Sequence, residues 1–271
     1  MSAVPDWQEE PTPPPAPNPA RRSPVALLDA TVWRGAELGR ASAPVVGSGW
    51  PALDAELPGG GWPTRSLTEI LQSQPTVAEW RLIAPALRSL VAAGQDVVVV
   101  GPPKRPHLPG LLHAGLEERR LAWIQAETPS ERLWVTEQLI RANAGGAIVA
   151  WLPQARQEQI RRLQISAQAS DSLVFLCRPI GAEHEPSAAP LRVSLSLQPD
   201  WAITVRVLKR RGPPQEAPLA LPSVPGGLDA ILTPRLRRPS SLPVAAPSRD
   251  TGHAVGRAAA RAPVHRRIAA H

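Results

Sequence analysis

Tyrosine is absent from this chain of 271 residues, and phenylalanine, methionine and cysteine each occur once. The single cysteine, Cys177, excludes an internal disulfide, and its place in the apolar run "SLVFLC" predicts a buried thiol. No apolar run approaches the length of a membrane span, and the N-terminus lacks the apolar stretch of a signal peptide. These absences favour a cytoplasmic protein that does not contact a membrane.

Metal-ligand spacing and catalytic motifs are also lacking. The six histidines do not combine with the lone cysteine into a ligand pattern, and His107, His113 and His184 fall in predicted loops or on a helix surface. No Gly-x-Ser-x-Gly elbow is present. We therefore expect no metal site, no catalytic residue and no cofactor.

Lysine is scarce, and positive charge is concentrated at one end of the chain. From Ile203 onward there are 12 basic and 3 acidic residues, a balance of +9, whereas the preceding part has a balance of −2. A basic tail is typical of proteins that bind nucleic acid or an acidic partner. The alternative is a solvated tail in which a biased genome composition favours arginine.

Proline marks the domain boundaries. The 34 prolines crowd the first 25 residues and the part after residue 212. We predict a disordered Pro-rich N-terminus over 1–25, a folded domain over 26–212 and a disordered, basic Pro/Ala/Arg-rich tail over 213–271.

Between these boundaries, strand and helix patterns alternate about five times, which predicts an α/β fold with a mainly parallel sheet and helices on both faces. The unbroken run "DVVVVG" is typical of a strand that is buried on both faces. Thr128, Pro129 and Glu131 form a clear helix start, and Gly145 and Gly146 are expected to end that helix. The segment "LRVSLSLQPDWAITVRVLKRRG" predicts an antiparallel hairpin added to the sheet.

Six of the nine tryptophans divide into two groups. Trp123, Trp134 and Trp151 fall on predicted core faces, whereas Trp50 and Trp62, with Trp33, lie in a loop-rich segment and are better candidates for partner contacts.

The order of these elements resembles the RecA-like recombinase core over about residues 45–220. The segment "GSGWPALDAELPGGGWPTRSLTEIL" is similar to the approach to that family's phosphate loop, and "VRVLKRRGPPQEAPLAL" is similar to its last core strand. Within this superfamily, three segments resemble the ImuA family of translesion DNA synthesis-associated proteins. They are "GGGWPTRSLTE", "WIQAETPSERLWVTEQLIR" and "VLKRRG".

The chemistry of a RecA-like ATP site is nevertheless missing. A phosphate loop needs glycines for its backbone amides and a lysine, but Val77, Ala78 and Glu79 stand where Gly-Lys-Thr is expected. The acid expected after "VVVV" is replaced by Gly101 and two prolines, and the magnesium-binding aspartate by Trp151. We therefore predict a protein that is not an ATPase.

The ImuA resemblance implies a non-catalytic accessory role in SOS-induced mutagenesis and translesion synthesis. The implied partners are an ImuB-like Y-family polymerase homologue and an error-prone replicative-type DNA polymerase, with RecA and DNA as further candidates. Candidate contact residues for a partner or DNA are Lys209, Arg210, Arg211, Arg235, Arg237 and Arg238. The first three are alternatively a solvated strand end. The rival functions are a SulA-like cell-division inhibitor and a protein that binds nucleic acid through its tail.

Overall fold

The computed structural model describes residues 44–75 and 78–224, together with residues 228, 231–233 and 235–236. The predicted N-terminal segment 1–25 lies outside these residues, as does most of the part after residue 224.

The described residues form ten strands and five α-helices. The strands are β1 (Val45–Val46), β2 (Trp62–Pro63), β3 (Leu67–Gln72), β4 (Val97–Val100), β5 (Leu121–Ile124), β6 (Ala147–Trp151), β7 (Leu173–Pro179), β8 (Leu191–Leu197), β9 (Ala202–Lys209) and β10 (Leu219–Pro222). The helices are α1 (Pro51–Asp54), α2 (Ala78–Ala92), α3 (Leu108–His113), α4 (Pro129–Arg141) and α5 (Gln157–Ala167).

Eight of the strands form one sheet in the order β10-β9-β8-β3-β7-β6-β4-β5. The pairs from β8 through β3 to β5 are parallel, whereas β9 runs antiparallel to both β8 and β10. The predicted α/β class is therefore confirmed, with its mainly parallel sheet and its hairpin of β8 and β9. Strands β1 and β2 form a separate antiparallel pair.

The sheet continues past the domain boundary that the sequence predicts at residue 212. Strand β10 pairs with β9 and buries Leu221, which is 2 % exposed. The placement of residues 219–222 in an unstructured tail was therefore wrong. The strand is short and ends in Pro222, and proline is tolerated at a sheet edge because no neighbour needs its missing N–H.

The sheet separates two apolar cores. Successive strand side chains point to opposite faces, so Val97 and Val99 join one core while Val98 and Val100 join the other. Helices α2 and α3 supply residues to the first core, and α4 and α5 supply residues to the second. This arrangement explains why β4 is apolar at every position.

The glycines of "GGGWP" have a structural function before β3. Gly59 and Gly60 have φ values of +82° and +84°, a region that L side chains rarely adopt. A Cβ atom on Gly61 would lie 2.5 Å from the backbone oxygen of Val46. The run therefore permits the close pairing of β1 and β2, which places Trp62 in the core at 0 % exposure.

The start of α4 is as predicted, but its end is not. Thr128 accepts a hydrogen bond from the backbone N–H of Glu131, and the Glu131 carboxylate accepts one from the N–H of Thr128. The helix ends at Arg141, before the glycines, because Asn143 adopts a left-handed conformation with φ of +50°. No helix among the described residues is long and apolar enough to cross a membrane.

Candidate functional site

The loop after β3 stands where the resemblance to RecA-like proteins places a phosphate loop. It follows Gln72, and α2 begins at Ala78. Ala78 and Glu79 are buried in the first turn of α2, whereas Val77 lies outside the described residues. A helix N-terminus favours negative charge because its free N–H groups and its dipole are partly positive. Here the chain places its own carboxylate, that of Glu79, in this turn.

Trp151 fills the position of the expected magnesium-binding aspartate and contacts Glu79 directly. It ends β6 and is 3 % exposed. Its indole Nε1 donates a hydrogen bond of 3.1 Å to Oε1 of Glu79. The ring also packs on Trp80, with 5.8 Å between the ring centroids and 38° between their planes. The two positions at which the resemblance predicts phosphate and magnesium binding are therefore hydrogen-bonded to each other.

Cys177 adjoins this contact on strand β7, where it is the register partner of Trp151. It is 1 % exposed, which confirms the predicted buried thiol. Burial raises the pKa of the Cys177 thiol well above its ordinary value, and the negative charge of Glu79 raises it further. Because the thiolate is the reactive form, this thiol is a poor nucleophile and a poor metal ligand.

A cavity of about 200 Å³ lies at the carboxyl ends of β3, β6 and β7, the edge at which open parallel sheets bind ligands. It is lined by Gln72, Ser73, Pro75, Pro103, Arg132, Trp151, Pro153, Cys177, Arg178 and Pro179. The described lining includes neither glycine nor lysine, so it offers neither a flexible amide nest nor the usual phosphate-binding side chain. Gln72 is 2 % exposed, and its side-chain amide has no hydrogen-bond partner among the described residues.

A buried charge network lies next to the cavity. Glu69, on β3, is fully buried and accepts hydrogen bonds from NH1 of Arg178 at 3.2 Å and from Nε of Arg192 at 2.6 Å. Arg178 also donates to the carboxylate of Glu185 at 2.7 Å, and Arg192 donates to the backbone oxygen of Ala182 at 2.6 Å. Buried charges are tolerated when they are paired in this way. The network joins three neighbouring strands, so its function is structural.

Sequence reasoning missed this network, although a signal for it exists. Glu69, Arg178 and Arg192 each interrupt or end an apolar strand, where an unpaired charge would be costly. Such charges predict pairing, but the partner of each charge depends on the strand order.

The three basic residues at the end of β9, Lys209 to Arg211, do not form one exposed patch. The Arg210 side chain folds back on the domain, where NH1 donates to Oε2 of Glu56 at 2.6 Å and Nε to the Pro213 oxygen at 2.6 Å. Lys209 is exposed and donates to the Ser187 oxygen at 2.8 Å. Arg211 is exposed and forms no ion pair with another described residue. Arg235 is also exposed, while Arg237 and Arg238 lie outside the described residues.

The tryptophans differ from the prediction in both groups. Trp123 and Trp134, expected in the core, are 43 % and 62 % exposed, whereas Trp62, expected at a partner surface, is fully buried against Phe175. Trp151 is buried as predicted. Trp50 is half-buried and donates from its indole nitrogen to the backbone oxygen of Leu82.

No known family model matches the chain, and no curated protein is detectably similar to it. Within the part of the chain that the structure describes, no group of three or more His, Cys, Asp or Glu residues is placed to hold a metal ion.

Proposed function

We propose that the protein is a RecA-like accessory factor in SOS-induced mutagenesis and translesion DNA synthesis, which acts through protein–protein contacts and does not hydrolyse ATP. The observation that carries this proposal is the hydrogen bond between Trp151 and Glu79 at the former nucleotide site. It supports the loss of ATP chemistry, and the ImuA-like segments supply the cellular role.

The geometry supports a site that rejects phosphate. The Glu79 carboxylate lies in the helix turn where a phosphate would be held, and like charges repel each other. Trp151 supplies a bulky apolar ring where magnesium would need an oxygen ligand. Arg178, one of the two cations in the described lining, already pairs with Glu69 and Glu185. The second cation of the described lining, Arg132, forms no ion pair with another described residue, but the described lining offers Mg²⁺ no carboxylate ligand.

The proposed partners are those that the ImuA resemblance implies: an ImuB-like polymerase homologue, an error-prone replicative-type polymerase and RecA. Lys209 and Arg211 are exposed at the end of the hairpin and remain proposed contact residues for a partner or for DNA. Arg210 is a weaker candidate, because its guanidinium pairs with Glu56. Arg235 is also exposed and remains a further proposed contact residue.

Deletion of the gene tests the cellular role. If the proposal is correct, damage-induced mutation frequency falls much more than survival does, and the parent gene on a plasmid restores it. Unchanged mutation frequency together with altered filamentation after damage would favour the SulA-like alternative. Unchanged behaviour in both respects would leave the tail-mediated nucleic-acid function as the better explanation.

Calorimetry tests the loss of ATP chemistry separately. We expect no heat of binding when the protein is titrated with millimolar ATP and Mg²⁺, because the loop lacks the lysine and Glu79 repels phosphate. An ATP-binding RecA, titrated under the same conditions, is the positive control. Saturable micromolar binding would contradict the proposal.

A further inference from the structure

A second cavity lies at the outer edge of the sheet and shares Pro103 and Arg132 with the lining of the first. Its volume is about 220 Å³, and it opens at the carboxyl ends of β4 and β5. The side chains that define its chemistry are Lys104, Arg105, Trp123, Gln125, Glu127 and Arg132. An aromatic ring and several cations thus share one small, open depression.

Trp123 is the aromatic member. It lies on β5, which pairs only with β4 among the described strands and therefore forms one edge of the sheet. The side chain is 43 % exposed, whereas Trp62 and Trp151 are buried. A large ring that is left partly in water next to polar groups is typical of a contact surface for a ligand or partner.

The cations around Trp123 are available for an anion. Lys104 and Arg105 are exposed in the loop after β4, and neither forms an ion pair with another described residue. The Arg132 side chain is held in place by a hydrogen bond, which its Nε donates to the backbone oxygen of Ala126 at 2.9 Å. It also lies across Gly101, where an added Cβ atom would come within 2.7 Å of its side chain.

The cavity therefore carries net positive charge. Glu127 is its only acidic residue among those described, against three basic residues. The backbone N–H of Glu127 donates to the Glu131 carboxylate, which fixes the start of α4 beside the cavity.

We propose that this edge of the domain binds single-stranded nucleic acid. A base stacks on the indole of Trp123, while Lys104 and Arg105 contact the flanking phosphates. A combination of exposed aromatic rings and cations is the general means by which proteins hold single strands without sequence preference. A duplex fits less well, because its bases are already stacked on each other and cannot reach the ring. The inference does not depend on the proposed role in mutagenesis, since Trp123, Lys104 and Arg105 neither line the first cavity nor belong to the tail.

The test compares binding of two labelled oligomers of about fifteen nucleotides, one of thymidine and one with the same backbone but no bases. The full-length chain and its variants are titrated by fluorescence anisotropy at two salt concentrations. We expect Trp123→Ala to weaken binding of the thymidine oligomer about ten-fold, because base–aromatic stacking is lost. Binding of the abasic oligomer should be unchanged by this variant, since its phosphates keep their cations.

Three further variants of the chain serve as controls. Trp134→Ala is the matched control, because Trp134 is also exposed but does not line the cavity. Trp123→Phe should keep most of the affinity, which guards against misfolding as an explanation. The double variant Lys104→Gln, Arg105→Gln should weaken the binding of both oligomers. It should also reduce the slope of log binding constant against log salt concentration by about 0.7 per lost phosphate contact.

Equal binding of thymidine oligomer by the parent and Trp123→Ala would overturn the inference. The inference would also be overturned if the variants lost affinity for an oligoglutamate peptide but bound the oligonucleotides as well as the parent does. That result would indicate an acidic protein partner. A uridine oligomer, titrated in parallel, distinguishes RNA from DNA as the preferred strand. None of these binding results changes the deletion phenotype expected from the proposed function. The inference and the proposed function can therefore fail independently.

Discussion

Glu79 and Trp151 form a buried hydrogen-bonded pair that joins α2 to β6. Glu79 brings a carboxylate into the first turn of α2, and Trp151 supplies the N–H group that binds it. A buried carboxylate needs a hydrogen-bond donor, because desolvation without one is costly. The two positions lie far apart in the sequence, but the fold brings them within 3.1 Å of each other. The pair therefore stabilises the contact between α2 and β6.

Trp151→Phe tests this stabilisation. The variant keeps an aromatic ring near Trp80 but removes the donor to Glu79. Trp62→Phe is the matched control, because the Trp62 indole nitrogen is also buried but has no hydrogen-bond partner among the described residues. We expect Trp151→Phe to lower the free energy of unfolding by about 1.5–3 kcal/mol more than Trp62→Phe, as measured in urea. Equal losses would mean that the hydrogen bond contributes nothing to stability.

At the scale of the elements, α4 shows what local sequence can specify. Its start depends on contacts between residues three or four apart, so the predicted N-cap Thr128 and its partner Glu131 are correct. The end of the helix and the exposure of its side chains depend on more distant parts of the chain. Trp134 was expected in the core, but the second core takes Leu133 and Ile140 from this helix instead.

The capping box gives α4 a pH dependence. Hydrogen bonds from the backbone N–H groups of Thr128 and Glu127 lower the pKa of the Glu131 carboxyl below its ordinary value. A lowered folded-state pKa stabilises the fold above the unfolded-state pKa, and this contribution is lost as the pH falls through the folded-state pKa. We therefore expect Glu131→Gln to be less stable than the parent near neutral pH, and the difference to narrow in acid.

The measurement is urea unfolding at about pH 7 and about pH 3, applied to the parent and Glu131→Gln. Glu158→Gln is the control, because Glu158 also lies in the first turn of a helix but no N–H hydrogen bond to its side chain is seen. Thr128→Ala removes the other half of the box and should cost about 1 kcal/mol at either pH. A difference for Glu131→Gln that stays constant with pH would contradict the lowered pKa.

At the scale of the whole molecule, the segment that follows β10 is hydrogen-bonded to α2, a helix that is distant in sequence. Arg81, on α2, donates from Nε to the backbone oxygen of Ser223 at 2.8 Å, and also donates to the oxygen of Trp201. Gln215 accepts a hydrogen bond of 2.7 Å from the N–H of Val207. Residues beyond 212 therefore complete the sheet and contact a helix that is distant in sequence.

Truncation measures this contribution. A chain that ends at Gly212 loses β10, including the buried Leu221, whereas a chain that ends at Arg238 keeps every described residue. We expect the shorter chain to lose at least about 2 kcal/mol of unfolding free energy, since burial of one leucine contributes about 1.5–3 kcal/mol. The longer chain should remain within about 0.5 kcal/mol of the parent. Identical unfolding of the two truncated chains would show that β10 adds nothing to stability.

The sequence by itself determined the α/β class, the alternation of strands and helices, the hairpin of β8 and β9, and the start of α4. These features follow from periodicity, turn residues and capping, all of which act over short distances along the chain. It also singled out Glu79 and Trp151, which stand where the resemblance to RecA-like proteins predicts residues of an ATP site.

Only the tertiary structure decided which of these residues meet. The contact of Trp151 with Glu79 and the pairing of Glu69 with Arg178 and Arg192 both depend on the strand order. The order also places β5 at an edge, which leaves Trp123 exposed beside Lys104. A strand pattern states that a side chain alternates between faces but not which neighbour covers each face, because that neighbour comes from a distant part of the chain.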